Sequence, residues 1–257
     1  MNNLLREKLL QGGHALGTFY ELGGIAAAQC IGIAGMDFAI VDTEHGPADV
    51  ESALTAITAL SARNCTPLVR VKDVTRPSVL KMLDVGAKGL IVPDVRSAEE
   101  VRRLVEYAKY YPLGRRGFAP TLASGYGFDR EAADVESYFA LCNRETLLIP
   151  QCETAEALEH IEEIAAMEGV DGIFVGPYDL SVALDKPAQL EDPELLDAIA
   201  HIVDVCKRHH KMSMIFAGSP ASTARFLKQG FDCVASGMDS IFLIQAIQNF
   251  VADVNKQ

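Results

Sequence analysis

The chain has 257 residues, 49% of them hydrophobic, and its 35 acidic against 23 basic side chains give a formal charge of −12. That length suits a single α/β barrel, and that acidity makes nucleic acid or an anionic membrane a poor partner, so any anionic ligand needs locally placed cations or a metal. Six cysteines without a Cys-x-x-Cys pair, an N-terminus without a signal-peptide core and no apolar run of spanning length point to a soluble cytoplasmic protein.

A short amphipathic piece, MNNLLREKLLQGG, opens the chain. Apolar runs and amphipathic stretches then alternate to the end. The runs expected as strands are His14–Phe19, Phe38–Val41, Pro67–Val71, Gly89–Pro93, Leu147–Gln151, Gly172–Val175, Met212–Ala217 and Asp232–Ser236. The expected helices are Ile25–Ala34, Val50–Ala62, Ser78–Val85, Ala98–Tyr110, Ala155–Met167, Glu194–His209, Ala221–Gln229 and Ser240–Val254, with apolar residues recurring at three and four. Near-continuous apolar strands are covered on both faces, as in a parallel sheet. Eight such units predict one (β/α)8 TIM barrel over residues 1–257. A single long connection, Tyr111–Arg144, carries Gly and Pro and then an extra helix from Arg130 to Cys142; a loop of that length is usually functional.

In such a barrel the chemistry collects at the carboxyl ends of the strands. Strand two ends in Asp42, Thr43, Glu44 and His45. Strand three carries Arg70, strand five Gln151 and Glu153, and strand six is followed by Asp179. Alternation puts Gln151 and Glu153 on one face and Cys152 on the other. Each residue has a bland reading: His45 as a loop histidine, Glu153 and Asp179 as helix caps. Arg70 fits a solvated role poorly, because it lies within an apolar strand and needs an anion. Four such coincidences at one rim favour a constellation. Paired carboxylates with a glutamine suit a hard divalent cation, Mg²⁺ or Mn²⁺, rather than structural zinc. A cation, an arginine and a histidine suit a substrate that becomes an oxyanion. Only Lys72 lies near a strand's carboxyl end, beyond Arg70, so a metal route is favoured over a lysine imine.

The segments VDTEHGP, PLVRV, KMLDVGAKGLIVPDVRSAEE, YYPLGRRGF, PQCET, GVDGIFVGPYDLS and ASGMDSIFL, in that order, resemble the HpcH/HpaI aldolase family of metal-dependent class II aldolases. The resemblance implies cleavage of a 4-hydroxy-2-oxo or 2-keto-3-deoxy acid to pyruvate and an aldehyde through a metal-held enolate. It implies Glu153 and Asp179 as ligands of Mg²⁺, Mn²⁺ or Co²⁺, His45 as base with Asp42 orienting the imidazole, and Arg70 at the keto oxygen. It further implies Gln151 beside the metal, the backbone of Gly176, Pro177 and Tyr178 around the pyruvate carboxylate, a homo-hexamer built as a dimer of trimers through the last helix, and Asp84 reaching toward a neighbour. Phe19 stands where many relatives have tryptophan, Tyr178 where several have alanine, and Cys152 where an aliphatic residue is common. The first two bear on the acceptor pocket. Glu44 is left without a role beyond a solvent-side or intersubunit salt bridge. Rival readings are an oxaloacetate decarboxylase, a malyl- or citramalyl-CoA lyase, for which no basic patch is evident, and a non-catalytic keto-acid-binding subunit.

Overall fold

A computed structural model describes residues 2–256. The first half runs α1 (Leu4–Leu10), β1 (Ala15–Tyr20), α2 (Ile25–Ile33), β2 (Phe38–Asp42), α3 (Val50–Ser61), β3 (Thr66–Arg70), α4 (Arg76–Asp84), β4 (Gly89–Val92) and α5 (Ala98–Ala108). After the long connection come α6 (Val135–Glu145), β5 (Leu147–Cys152), α7 (Ala155–Glu159), α8 (Ile161–Ala166), β6 (Gly172–Val175) and α9 (Pro177–Ala183). The chain ends with α10 (Pro193–Arg208), β7 (Met212–Ala217), α11 (Pro220–Gln229), β8 (Cys233–Met238) and α12 (Asp239–Asn255). The eight strands pair in sequence order, all parallel, and β8 closes on β1.

Several elements depart from the expected pattern for local reasons. Pro77 pre-sets the first turn of α4, which therefore starts at Arg76. Asp134 caps α6 by accepting from the Ser137 amide, so the helix of the long connection begins there and the residues from Arg130 to Ala133 form a separate 3₁₀ turn. The expected helix Ala155–Met167 breaks at His160 into α7 and α8, although Ala157, Ile161, Ile164 and Ala165 stay buried on one side of both.

Strand alternation sorts the core into two. One set, including Val41, Val69, Val92, Cys152, Val175 and Val234, packs outward against the helices. The other, including Phe38, Ile40, Leu68, Ile91, Ile149, Phe174 and Met214, fills the barrel. Filling is tight enough to dictate side chains. A Cβ on Gly17 would lie 2.3 Å from the Phe38 ring, so only glycine fits opposite that phenylalanine.

The barrel floor is closed by α1. Leu5 joins the interior cluster and its amide donates to Thr66 Oγ1 at 3.1 Å, while the Asn3 side chain donates to the carbonyls of Lys88 and Glu145. Lys109 adds a second tie. It leaves helical geometry at the end of α5, and its buried ammonium donates to Asn143 O, Thr146 O and Asp171 Oδ2 at 3.0, 2.6 and 2.7 Å. Removing one member of a buried, fully bonded charge pair is expensive. Lys109→Met is expected to lower unfolding stability by ~3 kcal/mol, read as a drop in the urea midpoint at constant m-value, while catalysis at the far end of the barrel survives at low temperature.

Candidate active site

The strand series that fill the barrel continue upward into polar residues: Ile40 into Asp42, Leu68 into Arg70, Ile149 into Gln151. Register brings the first two together, because Asp42 pairs with Arg70 across β2 and β3. Asp42 is fully buried. It accepts from Arg70 Nε at 2.9 Å and Nη2 at 2.6 Å, a bidentate fork, and from the Glu44 amide at 3.1 Å. The expectation that Asp42 orients the His45 imidazole is therefore corrected: its carboxylate is bound to Arg70, and it meets His45 only at the backbone amide, at 3.5 Å.

Glu44 also takes a different place from the one expected. It turns inward within its own chain, with Oε2 at 3.2 Å from Arg70 Nη1 and 3.9 Å from His45 Nε2. Burial pushes its carboxyl above the usual range, with Arg70 and His45 working against that rise. Arg70 thus sits between two carboxylates, with the Phe19 ring 4.7 Å from its guanidinium carbon. Burial works against its charge, but the bond to Asp42 and the charges of Asp42 and Glu44 outweigh it and raise its pKa.

A cavity of about 430 Å³ opens at this rim, lined by His45, Arg70, Gln151 and Asp179 together with Phe19, Phe174, Gly176, Pro177, Tyr178, Phe216, Gly218, Gly237, Met238 and Ile241. Eight of the residues expected at the site face it. Asp42 and Glu153 do not; Asp42 stands behind Arg70, and Glu153 beside Gln151 and Gly176. Gly176 is a close approach: a Cβ there would come within 2.6 Å of Glu153 Oε2. Pro177, at the start of α9, has no N–H, so it cannot contribute to a backbone grip on an anion. Asp84 is paired with Arg116 of the same chain at 2.9 Å.

Glu153 is nearly buried. It accepts from the Gln151 amide and, at 2.8 Å, from the backbone N–H of Asp94, a non-glycine residue in left-handed conformation (φ 49°). Burial pushes its carboxyl up to about 7, opposed by the Asp94 amide and Arg70 and reinforced by Asp179 and Glu44. Gln151 Oε1 is buried with no hydrogen-bond partner. The carboxyl kept from ionising by its surroundings and the orphaned amide oxygen both fit a hard cation, which would supply the missing positive charge and accept oxygen donors. Among the described residues no group of three or more His, Cys, Asp and Glu side chains surrounds one point; Mg²⁺ commonly takes only one or two carboxylates and keeps waters or substrate oxygens.

Across the comparisons, one family profile, described as HpcH/HpaI aldolase/citrate lyase, matches residues 16–246. The chain belongs to the HpcH/HpaI aldolase/citrate lyase family. It is 36% identical over 225 residues to the 5-keto-4-deoxy-D-glucarate aldolase of Klebsiella pneumoniae subsp. pneumoniae, covering 87% of this chain and 86% of that one. It is 33% identical over 251 residues to the pyruvate aldolase of Rhizobium etli, covering 97% and 96%. The crystal structure of an HpcH/Hpal aldolase/citrate lyase family protein from Burkholderia cenocepacia J2315 superposes with a TM-score of 0.91 at 27% identity, over 99% of this chain and all of that one. The barrel, the family and a carbon–carbon lyase activity of aldolase type are thereby borne out. No helix among the described residues is long and apolar enough to cross a membrane.

The residues that sequence reasoning missed are Phe174, Phe216, Gly218, Gly237, Met238 and Ile241 in the lining and Asp94 behind it. The parity that pointed Gln151 inward also identifies Phe174 and Phe216; nothing in the sequence marks the Asp94 amide. The Glu153 geometry generates a pH test. In the metal-free protein its pKa of about 7 lies above the ordinary 4.5, so between those values the folded chain holds a proton that the unfolded chain releases, and this group's contribution to stability falls as pH rises through the window. In chelator, Glu153→Gln is expected to gain on wild type from pH 5 to pH 8, by a few kcal/mol at most at ~1.4 kcal/mol per unit. Thermal unfolding of both proteins across that range checks it, and a constant difference contradicts it.

Proposed function

We propose that the barrel mouth binds pyruvate and that the enzyme reversibly cleaves 4-hydroxy-2-oxo acids, 2-keto-3-deoxy acids among them, into pyruvate and an aldehyde. The observation that carries this reading is Arg70, which is buried, held by Asp42 and Glu44, and faces the same cavity as His45, Gln151 and Asp179. Glu153 and Asp179 would hold a divalent cation, Mg²⁺, Mn²⁺ or Co²⁺, with Gln151 beside it. When bound, that cation supplies Lewis-acid polarisation of the 2-keto group.

The chain's own residues do the rest. The amides of Tyr178 and Asp179 at the start of α9 suit the pyruvate carboxylate, the helix end favouring an anion. Arg70 donates to the keto oxygen, where negative charge develops as C3–C4 breaks; it is aimed there in advance by Asp42, so little reorganisation is needed. His45 takes the proton of the 4-hydroxyl as the aldehyde leaves, and in the synthetic direction takes one from the pyruvate methyl. The enolate left on cleavage takes a proton at C3. Asp42 acts as a positioning residue for Arg70, and Glu44 links Arg70 to the imidazole.

An oxaloacetate decarboxylase needs the same enolate and differs only in the leaving group. Among the residues lining the cavity Arg70 is the one permanent cation, which suits a keto acid and leaves no basic cradle for the phosphates of an acyl-CoA.

For assembly we propose the homo-hexamer, a dimer of trimers, that the resemblance implies. What supports it is α12, where Leu243, Ile244, Ile247, Phe250, Val251 and Val254 are all exposed, up to 70% at Phe250. An apolar face of that extent is unusual on a monomer.

Two measurements follow. With pyruvate and Mg²⁺ in D₂O, the methyl protons should exchange by NMR; chelation should stop the exchange, His45→Ala should slow it ~10²–10⁴-fold, and Arg70→Lys should lower aldol kcat/KM by ~10²-fold or more. Unchanged exchange in His45→Ala would move the base elsewhere. By light scattering, wild type should be larger than a monomer and Phe250→Asp should shift toward smaller species; a wild-type monomer rejects the assembly.

A further inference from the structure

The cavity has two unlike halves. His45, Arg70, Gln151 and Asp179 come from the ends of β2, β3 and β5 and from the start of α9. The facing wall comes from β1, β7, β8, α9 and the first turn of α12, and it consists of Phe19, Phe216, Tyr178, Met238 and Ile241. Its aromatic rings interlock: Phe19 meets Phe216 edge-on at 5.8 Å between centroids, and Tyr178 meets Phe216 at 6.1 Å. Rings held against one another make a wall of fixed shape. Gly218 and Gly237 complete this side and add no side chain, so the cavity extends over them. Tyr178 and Ile241 are 46% and 40% exposed, apolar surface lying beside the reacting centre.

The wall touches the chemistry directly. The Phe19 ring that packs on Phe216 also lies against the Arg70 guanidinium. Arg70 is therefore where the two halves meet, and a keto acid held by it lies beside the aromatic side.

We propose that this wall is the acceptor subsite and that it selects aldehydes bearing an alkyl or aryl substituent over polyhydroxylated ones. The inference rests on the aldolase reading above and specifies its second substrate. Each hydroxyl of a sugar-like acceptor loses water on entering and needs a new partner. Among the wall's side chains only the Tyr178 hydroxyl can serve. A methylene or a phenyl ring loses nothing there and covers apolar surface already exposed. The bond-forming step is unchanged by this choice. Pyruvate C3 gives up a proton and bonds to the aldehyde carbon, and the aldehyde oxygen takes up a proton, so no further reactant enters.

The test compares acceptors of equal carbon number with pyruvate and Mg²⁺: propanal against glyceraldehyde, and butanal against erythrose. The apolar member of each pair should have the higher kcat/KM by ~10–100-fold, the range over which apolar pockets discriminate. Lengthening the alkyl chain from propanal to pentanal should raise kcat/KM by up to about fourfold per methylene. Phe216→Asn and, as a second change at an exposed position, Ile241→Gln should each narrow the butanal-to-erythrose ratio severalfold. The ratio cancels any loss common to both substrates. A wild-type ratio at or below one overturns the inference, as does a ratio that neither variant moves. Pyruvate methyl exchange in D₂O, run without aldehyde, separates the two failures: if it persists while the ratio is at or below one, only the acceptor class is wrong, and if it is absent, the aldolase reading falls and takes the inference with it.

Discussion

The forked pair between Asp42 and Arg70 is the constraint on which the mouth of this barrel depends. A guanidinium inside a parallel barrel is tolerable only with an anion fixed beside it. Here the anion is supplied by the neighbouring strand in register, at a position fully removed from water. The pair is also asymmetric. Asp42 takes Nε and Nη2, while Glu44, nearer the surface, approaches Nη1. The guanidinium plane is thus fixed from behind, and its outer edge is left toward the cavity, where a substrate oxygen competes with a half-buried carboxylate rather than with a buried one.

The division of the mouth into a polar and an apolar side has a simple origin. Inward positions alternate along every strand, and the uppermost inward positions of several strands reach the barrel mouth. On β3 and β5 the residue that lines the cavity is Arg70 or Gln151, with Asp42 of β2 behind Arg70; on β1 and β7 it is Phe19 or Phe216. The polar and the apolar lining are therefore encoded at comparable sites of different strands. They can change separately, which is how one scaffold carries related reactions on different substrates.

Most of the architecture was legible in the sequence because the signal is repetitive. Eight apolar runs of strand length, separated by three-and-four periodicity, leave few alternatives. The site residues were legible as a set because they fall at strand ends. Their pairings were not. That Asp42 serves Arg70 rather than the imidazole follows from a cross-strand register, and a one-residue slip would have separated them. Glu44 reads as a surface acid until β3 is beside it. The break at His160 leaves no trace in the periodicity, since the buried residues continue through it. The hold on Glu153 by the Asp94 amide belongs to the backbone, which the side-chain alphabet does not report.

The floor of the barrel bears on the order in which the chain assembles itself. Asn3 and Leu5 find their partners 61 to 142 residues further along the chain, at Thr66, Lys88 and Glu145. During synthesis the docking surface of α1 is incomplete until the residues just before β5 are made, 142 positions after Asn3. Until then Leu5 is an apolar residue without a home, one of the exposed groups that makes nascent chains sticky. The seal at the bottom is therefore completed late in synthesis, once Glu145 can join Thr66 and Lys88 around α1.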